Sequence, residues 1–122
     1  MSKKVTMVLS LLLGLVLLVF GLNKFFNFMP MPPMEGDAAE FMGALGKAGY
    51  FPILGVLEVF IGLLLITKKW TGFALVLLAP LVVNFLIFHF KYDMAGIGGA
   101  ALVSILTIAL FYANWGRFKS LF

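Results

Sequence analysis

Four apolar runs of about 18–20 residues each dominate the sequence. As helices they are long enough to cross roughly 30 Å of hydrocarbon. Short polar breaks separate them, so the chain reads as successive membrane-spanning helices rather than as a soluble core. The pivotal stretch is Tyr50 to His89, two such helices joined by the cationic hairpin Thr67-Lys68-Lys69-Trp70. The first carries a carboxylate, Glu58, near its middle. The second carries Pro80 and Asn84 and ends at the sole histidine, His89. What the protein does turns on why an apolar helix tolerates Glu58.

Composition agrees with this reading. The chain is 63% hydrophobic and only 11% charged, which leaves too few polar residues to coat a soluble domain of this size. It contains no cysteine. A disulfide, a CxxC redox pair and a thiolate metal site are therefore excluded, and any redox chemistry has to come from a bound cofactor or a partner. The net charge of +4 does not point to nucleic acid. The basic residues sit in pairs at helix ends, where topology and lipid headgroups account for them.

The first run starts at Val5, after a basic Met-Ser-Lys-Lys, and continues past Leu22 into Asn23-Lys24-Phe25-Phe26-Asn27-Phe28. It is longer than a signal-peptide core and shows no small-residue cleavage pattern, so a retained helix is expected. Gly14 and Gly21 share one face, suited to close approach of a neighbour. Three prolines within Met29-Pro-Met-Pro-Pro-Met34 end the helix. Met29, Met31 and Met34 have a spacing that suits soft thioether binding of Cu(I), although packing at a membrane surface explains them as well. Glu35 to Gly46 reads as a short amphipathic helix, with Asp37 and Glu40 at capping-box spacing, an apolar face of Phe41, Met42 and Leu45, and Gly46 at the C-terminal cap.

The expected architecture is all-α. It is an integral membrane four-helix bundle with helices at about 5–28, 50–67, 71–90 and 95–114. A short external amphipathic helix in the 29–49 segment lies between the first and second, and residues 1–122 form a single transmembrane domain. Pro80 should kink the third helix. Gly96, Ala100 and Ser104 form a small-residue stripe on the fourth, continued by Thr107, that suits a protein partner or a homo-oligomer. Trp115-Gly-Arg-Phe-Lys is an interfacial anchor.

Charge sets the orientation. Lys3, Lys4, Lys68, Lys69, Arg117 and Lys119 fall on one side. Lys24, Lys47 and Lys91 fall on the other, with Glu35, Asp37, Glu40 and Asp93. The bias places both termini in the cytoplasm. Glu58 then lies about 12 Å below the outer end of its helix, and Asn84 about 9 Å below the outer end of the next. Asn23, Lys24, Glu58, Asn84 and His89 are thus expected to converge in the outer half of the bundle. Gly55 and Gly62 flank Glu58 on its own face, which turns the carboxylate toward a helix contact. A central acid costs about 2.5–3.5 kcal/mol to insert, against about 0.3–0.6 returned by each Leu, Ile, Val or Phe, so insertion is roughly balanced. Glu58 is either a structural lock between helices or a group that handles a ligand or a proton. Asn84 reads as interhelical glue or a ligand contact, His89 as an interfacial residue or a site residue, and Lys24 as a snorkelling cation or the partner of Glu58.

Several of these segments resemble the DoxX family of small membrane proteins. Gly21-Leu-Asn-Lys-Phe-Phe-Asn-Phe28 is similar to the end of that family's first helix, and Ala38-Ala-Glu-Phe-Met-Gly-Ala-Leu-Gly46 to its short external helix. Leu57-Glu58-Val-Phe-Ile-Gly62-Leu-Leu-Leu65, followed by Lys69 and an apolar helix ending in His89, is similar to its second and third helices. Glu58, Lys24 and His89 sit where the family tends to keep polar residues. The Lys68-Lys69 pair and the proline-rich segment depart from its pattern. The resemblance implies a four-helix membrane bundle in a bacterial cytoplasmic (inner) membrane. It also implies an association with quinone-linked or thiol-linked oxidoreductases, including the small subunits of thiosulfate:quinone oxidoreductase.

The first functional expectation is therefore a small membrane subunit of a quinone-linked oxidoreductase system. A quinone or similar lipid-soluble ligand would sit in the outer half of the bundle. Glu58 would serve as the catalytic proton group, and Lys24, Asn84, His89 and Asn23 as ligand-binding residues. No metal site is expected. The alternative is a non-catalytic accessory protein in which Glu58 is a lock and the fourth helix holds a partner. Because the chain has no native cysteine, Lys68→Cys tests the orientation directly. It should react with a membrane-impermeant thiol reagent only from the cytoplasmic side, and labelling from outside intact cells would invert the topology.

Overall fold

A computed structural model describes residues 2–26, 35–92, 94 and 97–118 of the chain. The described structure is all helical: α1 (Lys3–Phe26), α2 (Gly36–Lys47), α3 (Tyr50–Thr67), α4 (Thr71–Tyr92), α5 (Ile97–Ala113) and the single turn α6 (Trp115–Phe118). α1, α3 and α4 are long and apolar enough to cross a membrane, and α5 is a shorter apolar helix. Met29, Met31 and Met34 lie outside the described residues, as do Asp93, Gly96 and Lys119.

The distribution of polarity is the reverse of a soluble protein's. Val8, Leu15, Val56, Ile105 and Ile108 face outward, whereas Ser10, Asn23, Glu58, Ser104 and Thr107 are buried. An apolar exterior suits contact with lipid, and inward polar groups can find partners that lipid does not offer. α1 packs on α3 and α5, and α4 also packs on both, so the four apolar helices close a ring. Leu13, Leu17, Ile61, Leu65, Leu75, Leu78 and Leu110 fill its centre, all essentially inaccessible.

α1 and α3 run antiparallel with their backbones in contact, and glycines make this possible. A Cβ on Gly62 would stand 2.8 Å from the Gly14 carbonyl oxygen, and one on Gly55 would stand 3.1 Å from that of Gly21. The reciprocal positions are equally tight, at 2.8 Å from Gly14 to the Gly62 oxygen and 3.0 Å from Gly21 to the Gly55 oxygen. Each helix thus contributes two glycines seven residues apart, and the two pairs face each other. Ser10 extends the same stripe by one turn, its hydroxyl donating to the Leu65 carbonyl at 2.9 Å.

The small-residue stripe on α5 faces inward. Ala100, Ser104 and Thr107 are buried within the chain. The Ser104 hydroxyl donates to the Ala100 carbonyl at 2.6 Å, and that of Thr107 to the Val103 carbonyl at 2.7 Å. The expectation that Ala100 and Ser104 form a partner surface is therefore corrected: α5 needs its small residues to pack against its own chain.

Local signals were also displaced. α2 ends at Lys47, and the left-handed glycine at the junction with α3 is Gly49 (φ 79°), not Gly46. Its N-cap is Glu35, which makes no side-chain cap, so Asp37 falls within the first turn and no Asp37–Glu40 capping box forms. The apolar face of α2 does dock, with Phe41 stacking on Phe88 and Tyr92 at the end of α4 at 5.6 and 5.5 Å between ring centroids. α4 continues through Pro80 without a break. In the hairpin, Lys68 (φ 59°) and Trp70 (φ 53°) take left-handed backbone, and the Lys68 and Lys69 amides both donate to the Leu64 carbonyl. This is the arrangement that a glycine usually completes. α6 folds back so that the buried Phe118 ring lies 4.7 Å from that of Phe111.

The glycine contacts predict opposite outcomes for one substitution type. Gly62→Ala should lower stability by about 1–3 kcal/mol, because the added methyl meets a rigid carbonyl. Gly98→Ala, with nothing within 4 Å of the new methyl, should be neutral or gain up to about 1 kcal/mol of helix propensity. Thermal unfolding of the two purified variants in one detergent checks both.

Candidate functional site at the Lys24–Glu58 pair

Glu58 sits eight residues into α3, about 12 Å along its axis, between Gly55 and Gly62. Those glycines draw α1 close, so the carboxylate faces α1 rather than lipid. Lys24 sits in the last turn of α1. In an antiparallel pair the two side chains lean toward each other, because every helical side chain tilts toward its own N-terminus. Lys24 leans inward from the end of α1, and Glu58 leans outward from the middle of α3. They meet with the Lys24 Nζ at 2.9 Å from each carboxylate oxygen of Glu58.

This is a two-pronged, charge-assisted contact of the strong class. The Glu58 side chain is 3% exposed and that of Lys24 is 23% exposed, so the pair meets the surface mainly through the lysine. Two of the three N–H donors of Lys24 are engaged, and one remains. No buried side-chain nitrogen or oxygen among the described residues lacks a hydrogen-bond partner.

Of the five residues expected to converge, the structure unites Lys24 and Glu58. Asn23 is buried at the same end of α1. His89 is half-buried and packs edge-on against Phe88 at 5.2 Å, within the aromatic group that holds α2. Asn84 lies on the exposed surface of α4, where its Nδ2 donates to the Pro80 carbonyl of its own helix at 3.0 Å. The rotation of α4 turns Ala74, Leu75, Leu78 and Val82 to the core and leaves Asn84 outside it. Ser10 was missed as an interhelical donor. Its signal was present, since Ser10, Gly14, Leu17, Gly21 and Lys24 recur at alternating steps of four and three.

An open groove of about 580 Å³ lies elsewhere, along Val83, Leu86, Ile87, Phe90 and Lys91 of α4. Among the described residues no group of three or more His, Asp or Glu side chains is placed to hold a metal ion.

Removing one partner of a buried pair strands the other charge, which costs about 3–5 kcal/mol. Lys24→Met should therefore destabilise the fold by that order, and by more than Lys47→Met on the exposed surface of α2. Denaturant or thermal unfolding in micelles measures the difference. Comparisons with protein-family models, with curated proteins and with solved structures returned no match.

Proposed function

We propose that the chain is a multi-pass membrane protein, a four-helix bundle of α1, α3, α4 and α5 with α2 as an external helix across one end. It serves as a non-catalytic accessory component, and its Lys24–Glu58 pair is a lock on the α1–α3 seam. The observation that carries this reading is the closure of the pair. Both carboxylate oxygens of Glu58 are met by one ammonium at 2.9 Å, in a seam where backbones already touch at Gly14, Gly21, Gly55 and Gly62. A group so sealed is suited to fixing helix register. The distribution of basic residues, heavier at the Lys68 end, supports both termini on the cytoplasmic side of a bacterial inner membrane.

A second reading rests on the partial exposure of Lys24. Its remaining donor is available to a carbonyl oxygen, as in a quinone bound at the Lys24 end of α1 and α3, with Glu58 behind it to take or supply a proton. The resemblance to DoxX proteins favours this reading of the chain as a small subunit of a quinone-linked oxidoreductase system. The tight seam argues for a ligand at its mouth rather than within it.

Two measurements separate the readings. Replacing a buried ion pair wholesale by apolar side chains is often neutral or stabilising. If the pair is only a lock, the double variant Lys24→Met/Glu58→Leu should regain the stability that either single change loses, to within about 1 kcal/mol. The second measurement is mass analysis of an organic extract of the protein purified in mild detergent. Near-stoichiometric quinone in the wild type, lost in Glu58→Gln, would overturn the lock reading and establish the quinone site. Bulk lipid alone in both would support the lock.

A further inference from the structure

The outward face of α4 differs from those of the other apolar helices, α1, α3 and α5, among the described residues. On α5 the exposed residues Leu102, Ile105, Ile108 and Tyr112 are apolar or, for Tyr112, at the helix end. Lipid satisfies such a face completely. On α4 the exposed face includes Asn84, eight residues from Tyr92 and so about 12 Å inside that end of the helix. An amide carries two donors and an acceptor oxygen. Asn84 gives one donor to the Pro80 carbonyl, its one hydrogen bond among the described residues. The other donor and Oδ1 point into a region where hydrocarbon offers no partner, and polar side chains in spanning helices rarely face lipid.

The residues around it form a pattern. Phe73, Leu77, Pro80, Asn84, Ile87 and Lys91 recur at steps of four, three, four, three and four. This is the 3.5-residue period of a helix that packs along its length against another helix. All but Leu77, which is half-buried, are exposed. The core-facing residues Ala74, Leu75, Leu78 and Val82 lie on the other side; of the seam residues Leu77 alone also packs against the core, which leaves Phe73, Pro80, Asn84, Ile87 and Lys91 facing outward.

We propose that α4 pairs with α4 of a second copy of this chain, in parallel about a two-fold axis, with Asn84 facing Asn84. A second copy is the occupant that the chemistry selects. An amide complements itself, each donating an N–H to the other's oxygen, and a two-fold axis brings like residues together. An asparagine at one such seam position is a known means of fixing register in paired helices. Chains that insert with one orientation present their α4 helices in parallel, which matches the axis. The groove of about 580 Å³ along Val83, Leu86, Ile87, Phe90 and Lys91 opens beside the seam and offers a hole for side chains of the facing helix. Lys91 does not forbid the pairing. It lies at the helix end, where water screens it, and its Nζ is drawn over the Tyr92 ring at 5.5 Å.

The absence of native cysteine makes the test clean. Ile87→Cys lies on the seam and leaves Asn84 in place, while Ile105→Cys, on the exposed face of α5, reports random collision. Mild oxidation of native membranes should convert Ile87→Cys to a disulfide-linked dimer well before Ile105→Cys. Adding Asn84→Leu to Ile87→Cys should weaken dimerisation roughly three- to twentyfold, read from the dilution of protein in lipid at which the dimer is half lost. Asn84→Leu adds an apolar side chain to an exposed face and leaves Lys24 and Glu58 untouched, so a folding defect or a failure of the lock reading would not mimic this result. Equal cross-linking at both positions, a cross-linked product of another mass, or a dimer indifferent to Asn84→Leu would each overturn the proposal.

Discussion

Contact between the backbones of α1 and α3 is the constraint on which the rest of the structure depends. In hydrocarbon, helices gain little by hiding apolar side chains from one another, since lipid tails are equally apolar. Association has to come from close packing and from polar groups that lipid cannot satisfy. The α1–α3 seam uses both. Gly14 and Gly21 meet Gly62 and Gly55 with no room for a methyl group between them. The same proximity lets Ser10 reach the Leu65 carbonyl and lets Lys24 reach Glu58. A wider seam would leave Glu58 without its cation, and an unpaired acid at that depth would oppose insertion of α3.

The other helices follow from this pair. α4 and α5 complete the ring with ordinary apolar packing, and the hydroxyls that α5 brings inside are satisfied by its own carbonyls. α2 packs on α3 and stacks through Phe41 on Phe88 and Tyr92, and its N-cap residue Glu35 makes no side-chain cap. The polar chemistry is thereby divided between two places, a sealed pair on the α1–α3 seam and an outward amide on α4. The first joins two helices of the chain, and the second bonds the carbonyl of its own helix at Pro80.

Much of the fold was legible because its signals are local or periodic. The lengths of the apolar runs set the helices, and Gly14 with Gly21 and Gly55 with Gly62 marked the two faces that meet. Failures occurred where a signal has two equally good uses. The stripe of Ala100 and Ser104 suits a partner helix or a helix of the same chain, and only packing distinguishes them. Gly46 and Gly49 are both plausible helix stops three residues apart, and the backbone takes its left-handed turn at the second. Asn84 lies at a depth near that of Glu58, and equal depth implies contact only if both side chains face inward.

The sequence by itself determined that the chain is helical, that three of its four apolar runs form helices long enough to span a membrane and that Glu58 faces a glycine-lined contact. Run length, periodicity and the cost of an acid in hydrocarbon suffice for these. Helix rotation was decided only by the tertiary structure, because an apolar helix in an apolar medium has no strong amphipathic moment to fix which face turns inward. That rotation brought Lys24 to Glu58, turned Ala100 and Ser104 inward and left Asn84 outside. The division between a sealed ion pair and an exposed amide is therefore a property of how the helices pack.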